Sequence, residues 1–378
     1  MRDITNWMQQ FLGVFVLVAG LFMLSPGNSH GLELNGFGDV VFSATEMSDS
    51  GDDNNGFALG QLDLYMAEQV SDRIDVLAEL VIESASGAFV IDLERLQIGY
   101  ALDNNRKLRV GRFHNLLGYW NLAYHHGSQL QTSIERPFFL EFEDDGGVIP
   151  VHMVGTWWAS RHHTPLGRTD VGIMFGNGAS LSADLTANEV AELNPDSGGD
   201  SDNDKAVSAN ISLMPAKVGG LTVGASAHFG TINIVDTGGG ALNDELDQFI
   251  WGLDVVYARS GTEVLAEYYA WHHDTTSTPT SHNNTTAWYT QVSHAVTEML
   301  TPYLRYALLD AEADPYFNAI GFTRNASGVV ANREKSVVIA GVRYDLNYRS
   351  SLKAEYRSVD DDRLGTYIEG AAQWAFSF

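Results

Sequence analysis

Residues 365–378 read GTYIEGAAQWAFSF. Successive side chains of an extended chain point to opposite sides, so Ile368, Ala372, Trp374, Phe376 and Phe378 share one face. Glu369, Gln373 and Ser377 share the other. The first face is aromatic up to the last residue, and the second is polar. A last core strand of a secreted β-sandwich is the competing reading, but such a strand has no reason to carry three aromatics in this register. The face that holds them expects an apolar medium.

The same alternation recurs upstream. Val207, Ala209, Ile211 and Leu213 interleave with Ser208, Asn210 and Ser212; Leu221, Val223, Ala225, Ala227 and Phe229 interleave with Thr222, Gly224, Ser226 and His228. Phe249, Trp251, Leu253, Val255 and Tyr257 form one face of a third segment, and Leu352, Ala354 and Tyr356 one face of a fourth, opposite Lys353, Glu355 and Arg357. Helical periodicity sustained over ten residues is hard to find. Sixteen segments read as strands, near 33–44, 57–70, 74–84, 88–101, 106–112, 151–160, 168–176, 205–214, 220–231, 247–258, 262–273, 285–296, 300–309, 336–346, 350–358 and 365–378. Most reach the ~9–11 residues that a tilted strand needs to cross a bilayer. The fourth and sixth do not alternate cleanly, and their faces stay unassigned.

The connections sharpen this. Ser71-Asp72-Arg73, Asp103-Asn104-Asn105, 161–167, 215–219, 259–261, Thr297-Glu298-Met299 and Asn347-Tyr348-Arg349 are short. Between them stand 45–56, 113–150, 177–204, 232–246, 274–284 and 310–335, which are acidic, Gly-rich or Asn-rich; only the connections near 85–87 and 359–364 on that side are brief. Short turns at one end and long loops at the other predict an all-β fold, a transmembrane antiparallel β-barrel of about sixteen strands with short periplasmic turns and long extracellular loops. Mean hydropathy is −0.11, as expected when lipid-facing and lumen-facing residues alternate. Tyr257, Tyr344, Trp374 and Phe378 fall near the short-turn ends, where an aromatic girdle belongs; Tyr268, Trp271 and Trp288 are candidates for the opposite girdle.

Phe11 to Leu24 is an apolar run, too short for a spanning helix but suited to the core of a secretory signal peptide. Ser29-His30-Gly31 offers small residues at a cleavage site, so 1–31 is expected to be a signal peptide and 32–378 the barrel. A membrane anchor is the alternative. Cysteine is absent, and the formal net charge is −26, from 48 acidic and 22 basic residues. That balance argues against a nucleic-acid partner and against electrostatic attachment to anionic lipid.

The segment 113–150, FHNLLGYWNLAYHHGSQLQTSIERPFFLEFEDDGGVIP, has no period of two. It is rich in aromatics and histidines and ends in an acidic cluster before a Gly-Gly pair. A structureless stretch of this length is usually functional, and here it is expected to fold into the mouth of the barrel and narrow it. Tyr119, Trp120, Phe138 and Phe139 read as anchors against the wall.

The signal-like N-terminus, sixteen strands, long third outer loop and terminal phenylalanine resemble the Gram-negative bacterial outer-membrane porin superfamily. The resemblance implies a water-filled channel in the outer membrane, often a homotrimer, with the third outer loop folded inward as a constriction. It implies lipid and lipopolysaccharide as surroundings, small hydrophilic solutes as cargo, and passive diffusion with no enzyme chemistry and no cofactor.

The inward register predicts a basic pore lining of Lys107, Arg109, Arg305, Arg343, Lys353 and Arg357, set against Glu141, Glu143, Asp144 and Asp145 of the loop. Opposed charges in a narrow low-dielectric wall give a transverse field; a wide hydrated lumen, or pairing among these charges, is the alternative. The acidic balance of the chain favours cations at the outer mouth, and the basic residues favour anions inside. An anion (phosphate)-selective porin and a non-conducting structural or adhesin barrel are the other functional readings.

No metal site is expected. The pairs His125-His126, His162-His163 and His272-His273 lack ligand spacing, because adjacent strand residues face opposite ways. His114, His125 and His126 beside the acidic cluster are the one group worth testing. The acidic stretches 49–56 and 200–205 depart from the calcium-loop pattern. A lipid-facing hydrolase would need an outward Ser/His pair, whereas the clean strands place their serines inward.

Overall fold

The computed structural model of the chain describes residues 33–47, 54–85, 88–125, 127–141, 149–183, 192–194, 204–236, 244–275, 282–313 and 332–378. The strands are β1 (Glu33–Met47), β2 (Asn54–Ser71), β3 (Ile74–Ala85), β4 (Ala88–Ala101), β5 (Arg106–His114) and β6 (His152–Thr164). β7 (Gly167–Asn177), β8 (Ser180–Ala183), β9 (Glu192–Asn194), β10 (Lys205–Pro215), β11 (Leu221–Asp236) and β12 (Asp244–Arg259) follow. The chain closes with β13 (Thr262–Thr275), β14 (His282–His294), β15 (Leu300–Ala311), β16 (Arg333–Asn347), β17 (Ser350–Asp361) and β18 (Gly365–Ser377).

Of these 18 strands, β8 and β9 form a small hairpin whose first strand runs parallel to the end of β11, Ile234 opposite Leu181. The other 16 pair antiparallel with their neighbours, β10 joining β7 directly, and β18 closes on β1 with Trp374 opposite Val40 and Ser377 opposite Phe37. The result is a closed barrel without a free edge, matching all sixteen expected segments. The short ends use tight-turn chemistry: Ser260 and Gly261 have φ of 54° and 78°, the left-handed pair of a type I′ hairpin between β12 and β13.

Burial is inverted relative to a protein in water. Leu96, Ile98, Val110, Phe175, Ile211 and Leu304 are exposed on the outer wall, while Asp63, Glu79, Gln248, Glu267, Gln291 and Arg305 are at most 3% exposed inside. A wall of apolar side chains around the whole barrel is stable only against hydrocarbon, so the barrel is transmembrane. Trp251 packs on Tyr268 and Trp288 on Tyr306 along that wall. Tyr344, Trp374 and Phe378 are exposed on it near the short turns. Trp271 does not join them: it points inward and is 1% exposed, because the inner face of β13 is itself apolar where the third loop docks.

The two strands with unclear faces are explained by local geometry. In β4 the register slips between Glu79–Arg95 and Leu80–Leu93, so Glu94 is an extra residue in a β-bulge. Glu94 is consequently buried beside Arg95 rather than facing lipid. In β6 the inner face is apolar, since Met153 and Trp157 pack with Phe113, Leu116, Met174 and Ala206. The core of this protein lies inside the barrel.

Candidate functional site

The described part of the loop between β5 and β6 folds into the barrel and packs on its inner wall. Its roots are adjacent: His114 ends β5 directly opposite His152 of β6, and Asn115 N–H donates to Val151 O at 2.7 Å. Gly118 then turns the chain with φ +74°, pressed so closely on Glu267 and Tyr269 that a Cβ there would overlap both side chains. A short helix, α1 (Trp120–Ala123), follows.

The N-terminus of α1 has no side-chain cap of its own. Glu267, from the middle of β13, supplies one across the lumen. Its carboxylate accepts from Tyr119 N–H at 2.8 Å and Trp120 N–H at 2.9 Å, and from the hydroxyls of Tyr269 and Tyr289. Four donors on one buried carboxylate leave it well satisfied. Around this point Leu117, Trp120, Phe139, Leu140 and Ile149 pack on Ile250, Leu265, Tyr269, Trp271 and Tyr289 of the wall. Each such side chain contributes roughly 1.5–3 kcal/mol on burial.

The next stretch, 128–135, has no regular backbone pairing, so its carbonyls need other donors. Basic side chains of β15–β17 provide them. Lys353 donates to Ser128 O and Ser133 O; Arg343 to Gln129 O at 2.7 Å and Gln131 O at 2.8 Å; Arg305 to Glu135 O at 2.9 Å and to Ser133 Oγ. Arg305 also bonds Gln291 at 2.7 and 2.9 Å and lies over the Trp120 ring. Arg357 sits among the carboxylates of Glu135, Glu355 and Glu369. Glu355 returns a bond by accepting from Ile134 N–H at 2.7 Å and Tyr303 OH at 2.6 Å.

The basic residues of β15–β17 find different partners from those expected of them. Arg305, Arg343, Lys353 and Arg357 meet the 128–135 backbone and Glu135, not the acidic end of the loop. Glu141, the one described member of that cluster, lies within electrostatic reach of Lys335. Glu143, Asp144 and Asp145 fall outside the described residues, as do most of 49–56 and 200–203. Lys107 pairs with Asp75 at 2.5 Å and Arg109 lies 4.1 Å over the Trp157 ring, both nearer the short turns.

Among the histidines, His126 is outside the described residues, and the group that forms is His114, His125 and His152. One ring nitrogen of each lies within 4.8 Å of the others, and all three are buried. His272 and His273 take opposite faces, His273 inward against Gln248. The sequence reading missed Glu267, Glu355, Glu94 and His152. Glu267 had a signal, a lone carboxylate in the inward row Leu265, Glu267, Tyr269, Trp271. His152 had one too, because the two strands flanking a loop of neighbouring strands place its end residues opposite each other.

No protein-family model matches the sequence, and no curated protein is similar to it in sequence. Solved structures do match the fold. The anion-selective porin from Comamonas acidovorans is 12% identical, with 92% of this chain and 99% of that chain covered and a TM-score of 0.61. The outer membrane channel DcaP of Acinetobacter baumannii is 14% identical over 94% and 100% of the two chains, with a TM-score of 0.57. The trimer form of the outer membrane protein OmpT of Vibrio cholerae is 10% identical over 92% and 100%, with a TM-score of 0.55. The fold of this chain is the sixteen-stranded barrel of Gram-negative outer-membrane porins, with its third loop folded inward.

Proposed function

We propose that the protein is an outer-membrane channel for passive diffusion of ions and small hydrophilic solutes, with the loop 113–150 as its constriction. The observation that carries this is a long loop hydrogen-bonded along the inner wall of a barrel that holds many polar and charged side chains inside and exposes an apolar exterior. In this reading 1–31 directs export, the longer loops face lipopolysaccharide, and no catalysis takes place. Arg305, Arg343, Lys353 and Arg357 act by holding the loop. Glu141, Glu143, Asp144 and Asp145 set fixed negative charge beside the passage, and Lys107 and Arg109 set positive charge near the turn-side mouth. A homotrimer is supported by the trimeric neighbour from Vibrio cholerae and is tested by cross-linking the folded protein.

A non-conducting structural barrel is favoured by one specific observation. Trp120, Arg305, Glu267 and Lys353 are 0–3% exposed, whereas a wide water-filled lumen would wet them. Planar-bilayer recording decides between the two. Small stepwise conductance from the folded protein supports the channel, and current at background level removes it. On a conducting barrel, neutralising Glu143, Asp144 and Asp145 together shifts the reversal potential; an unchanged value removes the acidic cluster from the passage.

A further inference from the structure

We propose that His114, His125, His152 and Glu94 form a binding site for a divalent transition-metal ion of the zinc class, which ties the lumen loop to the wall at β4–β6. The proposal stands whether or not the barrel conducts.

The donors come from four separate places. His114 ends β5, His152 begins β6, Glu94 is the bulge residue of β4, and His125 follows α1 in the loop. All four are at most 7% exposed. The Nε2 atoms of His125 and His152 are 3.0 Å apart, and Glu94 Oε2 lies 2.7 Å from His152 Nε2 and 3.6 Å from His125 Nε2. Ligands at about 2.0–2.1 Å from a tetrahedral zinc ion lie about 3.3 Å from one another, so these three donors already have nearly that spacing. The third imidazole has a ring nitrogen within 4.8 Å of the other two. Three imidazoles and a carboxylate suit zinc and its neighbours better than calcium or magnesium, which take oxygen ligands.

The tautomer of His125 is set by its support. Asn121 Nδ2 donates to Asn115 O at 3.0 Å and Val151 O at 3.2 Å, which turns its Oδ1 toward His125 Nδ1 at 2.9 Å. The His125 proton therefore sits on Nδ1, and the Nε2 lone pair points at His152 and Glu94. Outer partners of this type commonly orient metal-ligating histidines. Without metal, His152 Nε2–H donates to the bare Nε2 of His125 at 3.0 Å, with Glu94 Oε2 close by at 2.7 Å; an incoming Zn²⁺ takes the place of that proton, which leaves to solvent. Glu79, paired with Arg95, lies 3.5 Å from His114 Nε2 and adds a further carboxylate beside the site.

The bulge in β4 supports the same conclusion. A regular strand would turn Glu94 toward lipid next to an inward Arg95. The extra residue brings both inside, and bulges of this kind re-aim side chains at binding sites.

The test uses the folded full barrel in detergent, stripped with a chelator and titrated with Zn²⁺ by calorimetry, with metal content read after dialysis. The expected result is a single ion per chain, with affinity lowered at least tenfold by His152→Gln and by Glu94→Gln. Asn121→Ala, acting through His125, lowers it about tenfold. His294→Gln, a histidine near the short turns, leaves binding unchanged. Heat-modifiable gel migration verifies that each variant is folded, and X-ray absorption of the zinc-loaded protein shows imidazole nitrogens in its coordination shell. Folded wild-type protein that takes up no zinc overturns the proposal. So does stoichiometric uptake that survives the His125→Gln/His152→Gln double substitution.

Discussion

The loop inside this barrel touches two walls, and the two hold it by different chemistry. The wall of β13–β17 grips it with Glu267, Arg305, Arg343, Lys353 and Glu355, which bond its backbone at many points along 119–135. The opposite wall of β3–β6 meets it with Glu79, Glu94, His114 and His152 around His125. The first grip consists of charge-assisted bonds to the loop backbone, whereas the imidazoles of the second can also ligate a metal ion. The first grip is therefore a fixed seat and the second an adjustable one. A loop that only had to stay in place would need the first alone.

The comparison breaks most directly at Arg305. Its guanidinium holds Gln291, Ser133 and Glu135 O at once while buried at 1% exposure. Arg305→Met fills similar space but leaves those acceptors without a donor. Leaving a buried acceptor without its donor costs about 1–3 kcal/mol, and three acceptors are affected at once. The expected outcome is a loop detached from the fixed seat: a clearly lowered melting temperature in detergent and larger, noisier single-channel currents. Unchanged melting and currents would mean that the apolar cluster alone seats the loop.

Glu267→Gln gives a smaller effect on the same seat. The amide keeps one acceptor oxygen but turns an NH₂ toward donors that a carboxylate had satisfied, namely the N–H groups of Tyr119 and Trp120 and two tyrosine hydroxyls. The cost is of order 1–3 kcal/mol, seen as a modest fall in melting temperature together with faster proteolysis within α1. Proteolysis confined to the histidine end of the loop would instead place the weaker seat on the β3–β6 wall.

How much of this the sequence discloses depends on whether the deciding contact is local. The period of two places Arg305, Arg343, Lys353 and Arg357 inside without any knowledge of the loop, because facing is a property of each strand alone. Their partners follow from the path of the loop through the lumen, and nothing near 128–135 announces that path. The reading of Trp271 as a girdle residue failed for the same reason: an aromatic on β13 looks lipid-facing until the loop makes the inner face apolar. The faces of β4 could not be read because a bulge shifts the period by one residue, and the sequence DLERLQ does not mark which residue is extra. Glu94 and His152 were hidden by that shift and by the 37 residues between His114 and His152, although the pairing of β5 with β6 makes the two histidines cross-strand neighbours.

The smallest effect belongs to the turn-side mouth, where neither grip operates. Lys107 and Asp75 are paired at 2.5 Å, but their side chains are 30% and 29% exposed. A partly hydrated ion pair of this type is worth about 0–1 kcal/mol, so Lys107→Gln leaves the melting temperature nearly unchanged. What it alters is local charge, since Asp75 loses its counter-ion while Arg109 remains held over Trp157. On a conducting barrel the reversal potential then moves slightly toward cation preference, more at low salt than at high salt, because screening shortens the reach of an exposed charge. A salt-independent shift of the same size would mean that Lys107 acts through the shape of the mouth and not through its charge. A large fall in stability would mean that the β3–β6 wall depends on this pair as firmly as the opposite wall depends on Arg305, and the contrast between a fixed and an adjustable seat would have to be withdrawn.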